Sequence, residues 1–158
     1  MIGIAKYGTV KYGSVKYGND PYQLIFDRTL ADVLNHTKKG YYKAKDFNRI
    51  EGKTDLIIGK LMRLGHILQI VTKTDWVKTN FPTPKQCDRI LANIGLLLDT
   101  IPVGPETPEL PKSMEKIDYL KANDIEKILY DIDRLADYVM ANWRYSGDVY
   151  AGEGYFSD

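Results

Sequence analysis

Apolar residues recur in alternating steps of three and four along three separate stretches of this chain, and that rhythm restricts the fold more than any other feature. The longest stretch runs from about Lys45 to Val71. Phe47, Ile50, Thr54, Ile57, Leu61, Leu64, Leu68 and Val71 form a heptad-like seam within it. Gly52, Gly59 and Gly65 each weaken such a helix by about 1 kcal/mol relative to alanine, so tertiary packing has to hold it. The next stretch opens at Thr83-Pro84-Lys85-Gln86, a capping box with proline at the first helical position. Its stripe is Cys87, Ile90, Ile94, Leu97 and Ile101, thickened by Leu91 and Leu98. The last stretch is expected to start at Asn123, with Glu126 three residues on and a stripe of Ile125, Ile128, Ile132, Leu135 and Val139. A shorter helix is expected from about Thr29 to Lys38, capped by Thr29 and Asp32, stopped by Gly40, with Leu30, Val33 and Leu34 as its apolar face.

The expected fold is therefore mainly α: a small antiparallel helical bundle with extended, partly β N- and C-terminal arms. Association of the same stripes between chains, as a coiled coil, ranks second because the connections read as short. Pro102, Pro105, Pro108 and Pro111 recur every third residue, a spacing that suits a stiff extended spacer better than a ligand for a partner domain.

The arms carry the other regularity. Tyr7, Tyr12, Tyr17 and Tyr22 stand five residues apart, the first three inside Lys-Tyr-Gly units, and Tyr145, Tyr150 and Tyr155 repeat the spacing near the far end. Tyrosine, valine and threonine favour strands, and a glycine in every unit opposes a helix. An odd spacing throws successive tyrosines of a regular strand onto opposite faces, so the arm is either covered on both sides or reset by a bulge at each glycine. These seven tyrosines are the expected partner-binding residues. The expected division is 1–27 as the repeat arm, 28–142 as the bundle and 143–158 as an aromatic, glycine-rich C-terminal arm.

Charge and composition exclude several classes. Lys and Arg number 22 against 21 Asp and Glu, too even for a dedicated duplex-DNA binder. Lysine beside tyrosine could pair a phosphate contact with a stacking face, but three units on a neutral chain do not favour nucleic acid. Cys87 is the only cysteine, which excludes an intramolecular disulfide and a thiolate metal cluster within one chain. No apolar run approaches the roughly 20 residues of a membrane span, and Lys6, Lys11 and Lys16 interrupt anything like a signal peptide. His36 and His66 have no local motif and read as surface residues, and Cys87 reads as a small hydrophobe on its stripe. Asp133 and Asp137, four residues apart, could share a hard cation but fit a solvated polar face better. With no Walker loop, dinucleotide fingerprint or HExxH, neither an enzyme nor a cofactor is expected.

Arg28-Thr29-Leu30-Ala31-Asp32-Val33, then Gly40-Tyr41-Tyr42-Lys43-Ala44, then Asp46-Phe47-Asn48-Arg49-Ile50-Glu51-Gly52 form an ordered series. Thr74-Asp75-Trp76, Phe81-Pro82-Thr83, Arg89-Ile90, Asn123-Asp124-Ile125-Glu126 and Tyr150-Ala151-Gly152-Glu153 continue it. The series resembles a helical module of tail and baseplate proteins from phages and phage-tail-like bacteriocins of Gram-positive bacteria. Arg49, Glu51, Trp76 and Asn123 are its most distinctive positions, and Lys45 stands where a small polar cap is expected. The resemblance implies a structural part of a virion or phage-tail-like particle assembled in the bacterial cytoplasm. Its place would be the baseplate or distal tail, with other tail subunits, receptor-binding fibres and further copies of itself as partners. The rival expectations are an adaptor that binds host-surface polymer through its exposed tyrosines, an enzyme with an unrecognised site, and a connector-type protein whose basic-aromatic arm touches nucleic acid.

Overall fold

The computed structural model describes residues 20–152, with side chains for residues 20–143. Four helices account for its regular structure: α1 (Leu30–Leu34), α2 (Ala44–Arg63), α3 (Pro84–Thr100) and α4 (Tyr119–Gly152). No strand occurs among the described residues, only an isolated antiparallel bridge between Val77 and Asn80. The mainly α expectation holds. The partly β arms concern residues 1–19 and 153–158, which lie outside the described residues, and residues 143–152, whose backbone continues α4 as a helix where an extended arm is expected.

The apolar seams meet in one core. Ile50, Ile57 and Leu61 of α2, Ile94 and Leu97 of α3, and Ile125, Ile128, Leu129 and Ile132 of α4 are fully buried together. Each buried aliphatic side chain of this size contributes about 1.5–3 kcal/mol relative to exposure. The principal contact is α2 against α4, with α3 laid on both.

Helix ends follow local chemistry. Thr83 and Gln86 make the expected reciprocal capping box of α3, with Pro84 at the first position. Thr29 and Asp32 do the same for α1, but that helix stops at Leu34, and His36 beyond it takes a left-handed φ of 52°. Leu30 and Leu34, expected to face the core, are 54 % and 68 % exposed. Asp46 accepts a hydrogen bond from the backbone N–H of Lys43 at 2.6 Å, so α2 begins on Lys43 without a side-chain acceptor at the cap.

The long helix ends well before Val71. Gly65 adopts φ 90°, its N–H donates to the Met62 carbonyl and that of His66 to the Leu61 carbonyl, the paired bonds of a Schellman stop. Leu68 and Ile70 still pack on the core, from non-helical chain. The connections across 64–83 and 101–118 are long, not short.

α4 starts at Tyr119, four residues before the expected position, because Asp118 caps it: its carboxylate accepts the Lys121 N–H at 2.8 Å.

Candidate functional site

Beside its apolar seam, α2 carries Asp46, Arg49, Lys53 and Lys60, and α4 carries Glu126, Asp133 and Asp137. These residues sit at three, four and seven-residue intervals, so they form polar stripes parallel to the apolar ones. The stripes face each other. Arg49 pairs with Glu126, Lys53 with Asp133, and Lys60 with Asp133 and Asp137. Since the partners advance together along both helices, α2 and α4 run in the same direction.

Residues 20–28 lie over this seam as a strap running the opposite way. Asp20 meets Lys53, the Tyr22 ring lies on Gly52, Ile25 reaches Glu126 and Arg28 reaches Asn123. A Cβ on Gly52 would come within 2.3 Å of the Tyr22 ring, so this helical glycine makes room for the strap.

Under the strap, Glu126 is 0 % exposed and accepts four N–H bonds. They come from the Ile25 backbone at 2.6 Å, Arg28 Nη2 at 2.7 Å, Arg49 Nε at 2.8 Å and Arg49 Nη2 at 2.6 Å. Asp46 lies 2.5 Å from Arg49 Nη2 and 3.5 Å from Arg28 Nη2, so two cations and two carboxylates balance. Asn123 holds the Arg28 backbone at both ends, accepting from its N–H at 3.1 Å and donating to its carbonyl at 2.8 Å.

Further along, Lys53 bridges Asp20 at 2.5 Å and Asp133 at 2.8 Å, and Lys60 bridges Asp133 at 2.5 Å and Asp137 at 2.8 Å. Burial works against a charged Lys60, but the two aspartates outweigh it and raise its pKa. Burial likewise works against a charged Asp20, and the Lys53 ammonium with the Tyr22 N–H overrides it and lowers the pKa. Asp133, at 7 % exposure, is therefore no solvated face.

Glu51 on α2, 1 % exposed, is the second saturated carboxylate. Arg89 of α3 grips it at two points, 2.7 and 2.8 Å, Trp76 Nε1 donates at 2.9 Å and the Lys73 N–H at 2.8 Å. Asn48 locks the Trp76 backbone through bonds of 2.9 and 2.7 Å, and Asn93 takes the Val71 carbonyl at 2.9 Å. The chain after Gly65 is thereby sewn to α2 and α3.

Chemically, a carboxylate offers about four acceptor positions, and Glu51 and Glu126 each have all of them taken by fixed N–H donors. Such groups hold elements together. Cys87 is half-buried, and burial with Asp88 nearby raises its pKa, the opposite of an activated thiolate. His36 contacts Tyr41, its ring stacked on the phenol, and His66 is exposed. Among the described residues no group of three or more His, Cys, Asp or Glu could hold a metal, and no helix is long and apolar enough to cross a membrane.

Of the seven expected partner-binding tyrosines, Tyr7, Tyr12, Tyr17 and Tyr155 lie outside the described residues. Tyr145 and Tyr150 are on helical backbone of α4, their side chains also outside the description. Tyr22, in the strap, is packed on Gly52 of α2 within the same chain.

No protein-family model matches this sequence, and no curated protein or solved structure matches it significantly.

Proposed function

We propose that this chain is a structural component of a phage or phage-tail-like particle, placed in the baseplate or distal tail and joining other subunits there, receptor-binding fibres among them. The observation that carries the reading is the saturation of Glu51 and Glu126, which spends the buried charge of the body on holding helices and strap together. A rigid body of that kind serves as a mount for arms that bind. In this reading α3 runs antiparallel between α2 and α4, the tyrosine arms dock on neighbouring subunits, and copies form a symmetric homo-oligomer. The body is not an enzyme, needs no cofactor and engages neither membrane nor nucleic acid. The ordered likeness of residues 28–153 to tail and baseplate modules supports the same assignment.

The test is direct. Particles induced from a producing strain and purified to homogeneity should contain this chain at a fixed copy number that is a multiple of the tail symmetry. Its absence from intact particles overturns the proposal.

One observation favours a second reading, an adaptor for anionic host-surface polymer. Lys38, Lys39 and Lys45 border a hollow of about 680 Å³ beside Phe26, with Lys39 paired to Asp27 at 2.7 Å. Salt-sensitive binding of the protein to a glycerol-phosphate polymer, absent with neutral glycan, would favour it over a purely structural role.

A further inference from the structure

The hollow of about 680 Å³ beside the strap has two kinds of wall. Leu24, Ile25 and Phe26 line one part of it, half-buried and apolar. Lys38, Lys39 and Lys45 line the other. Lys39 is paired with Asp27 at 2.7 Å, while Lys38 and Lys45 are exposed and their side chains have no partner among the described residues. Asp46, next in sequence to Lys45, is buried and committed to Arg28 and Arg49. The hollow therefore suits a ligand that brings negative charge and apolar rings together. A glycerol-phosphate polymer would answer the lysines and leave Leu24 and Phe26 uncovered.

Residues 1–19 and 153–158 lie outside the described residues, and their charges are opposite. The first segment holds Lys6, Lys11 and Lys16 and no acid, so the lysines of the hollow repel it. The second reads Glu153-Gly154-Tyr155-Phe156-Ser157-Asp158, with an acid at each end, two adjacent aromatics and no base. It carries both of the features that the hollow calls for.

The fold decides which copy supplies it. The N–H of Ile25, in the wall of the hollow, donates to Glu126, so the hollow lies level with Glu126 of α4. Gly152 ends that helix about 39 Å further on, at 1.5 Å per residue. Lys45 sits at the start of α2, which runs the same way, so the lysines face the opposite end of the body from Gly152. Residues 153–158 reach about 21 Å at full stretch, too short to return to their own hollow. We propose that the hollow receives residues 153–158 of a second copy of the chain, Tyr155 or Phe156 against Leu24 and Phe26, and the two acids toward Lys38 and Lys45. Such a contact joins unlike surfaces head to tail and closes into a ring where its rotation allows. The inference rests on reading the chain as a repeated part of an assembly, and it names one contact between copies.

The experiment places the photo-reactive residue p-benzoylphenylalanine at position 155 or 156 of the full chain, mixes isotopically light and heavy copies, irradiates and maps the joined peptides. Cross-links from either position to residues 23–27 or 38–45, joining light to heavy copies, are expected. Lys38→Glu with Lys45→Glu should cut their yield at least about tenfold, with melting unchanged because both side chains are exposed. Glu153→Lys with Asp158→Lys on the copy that donates the tail should restore it. Cross-links landing elsewhere, joining only like-labelled copies, failing to form, surviving the lysine reversal or not returning with the reversed tail would overturn the proposal. Glycerol-phosphate polymer held by Lys38 and Lys45 in place of mixed cross-links would overturn it too, in favour of the adaptor. Cross-links elsewhere from a chain present in particles remove this contact alone, whereas mixed cross-links at the hollow from a chain absent from particles remove the tail reading and leave the contact.

Discussion

Arg49 on α2 and Glu126 on α4 meet in a two-point contact, Nε to Oε2 at 2.8 Å and Nη2 to Oε1 at 2.6 Å, beneath residues 20–28. The pair joins the two helices of the principal contact and the strap above them. Arg49→Ala leaves Glu126 buried with two of its four donors gone, and a loss of about 3–5 kcal/mol is expected. Arg49→Lys should recover only part of it, since an ammonium cannot reproduce the planar fork. Urea unfolding of the three proteins measures this.

Gly52 and Gly59 are both helical glycines of α2, and only the first is covered. Gly59→Ala meets nothing within 4 Å and should stabilise by about 1 kcal/mol through helix propensity. Gly52→Ala drives a methyl into the Tyr22 ring and should destabilise by about 1–3 kcal/mol. In a Tyr22→Ala background the sign should reverse, and a double-mutant cycle by thermal melting reads the reversal.

The pH dependence has two limbs. Lys60 has a folded pKa above its ordinary 10.5, so its contribution is complete below that value and is lost as pH rises through the raised one. Asp20 has a folded pKa below its ordinary 3.8, so its contribution is complete above 3.8 and is lost as pH falls through the lowered one. Urea midpoints should be level between about pH 5 and 8 and fall on both sides. Lys60→Gln should shrink the alkaline limb, leaving the part that Cys87 and Tyr42 carry through their own raised pKa values, and should leave the acid limb in place.

Ile94 sits fully buried at the centre of the α3 stripe. Ile94→Asp places an unpaired charge there and should cost several kcal/mol, enough to unfold a domain of ordinary stability. A circular-dichroism melt like that of the unaltered chain would contradict the packing.

α3 was fully legible because every local cue agrees: Thr83, Pro84 and Gln86 at the start and a clean stripe behind them. The end of α2 was not, because Leu68 and Val71 keep the three-four rhythm past Gly65, and the rhythm carries no information about the positive φ that stops the helix. Asn123 and Glu126 imitated a capping pair, yet Asn123 bridges the Arg28 backbone and Glu126 collects four donors. The charged seam left a trace in sequence, since Arg49, Lys53 and Lys60 oppose Glu126, Asp133 and Asp137 at heptad-like intervals. A solvated helix face has the same spacing, and the strap, which reaches Gly52 and Lys53 on α2 and Asn123 and Glu126 on α4, is what buries this one.

In the proposed function the helical body is mounted in an assembly through its N-terminal arm. Deleting residues 1–19, with the strap from Asp20 retained, and counting the truncated chain in purified particles by quantitative mass spectrometry tests it most directly. The account predicts helix content and melting close to those of the full chain, with incorporation abolished. Particles that carry the truncated chain at the normal copy number would contradict it.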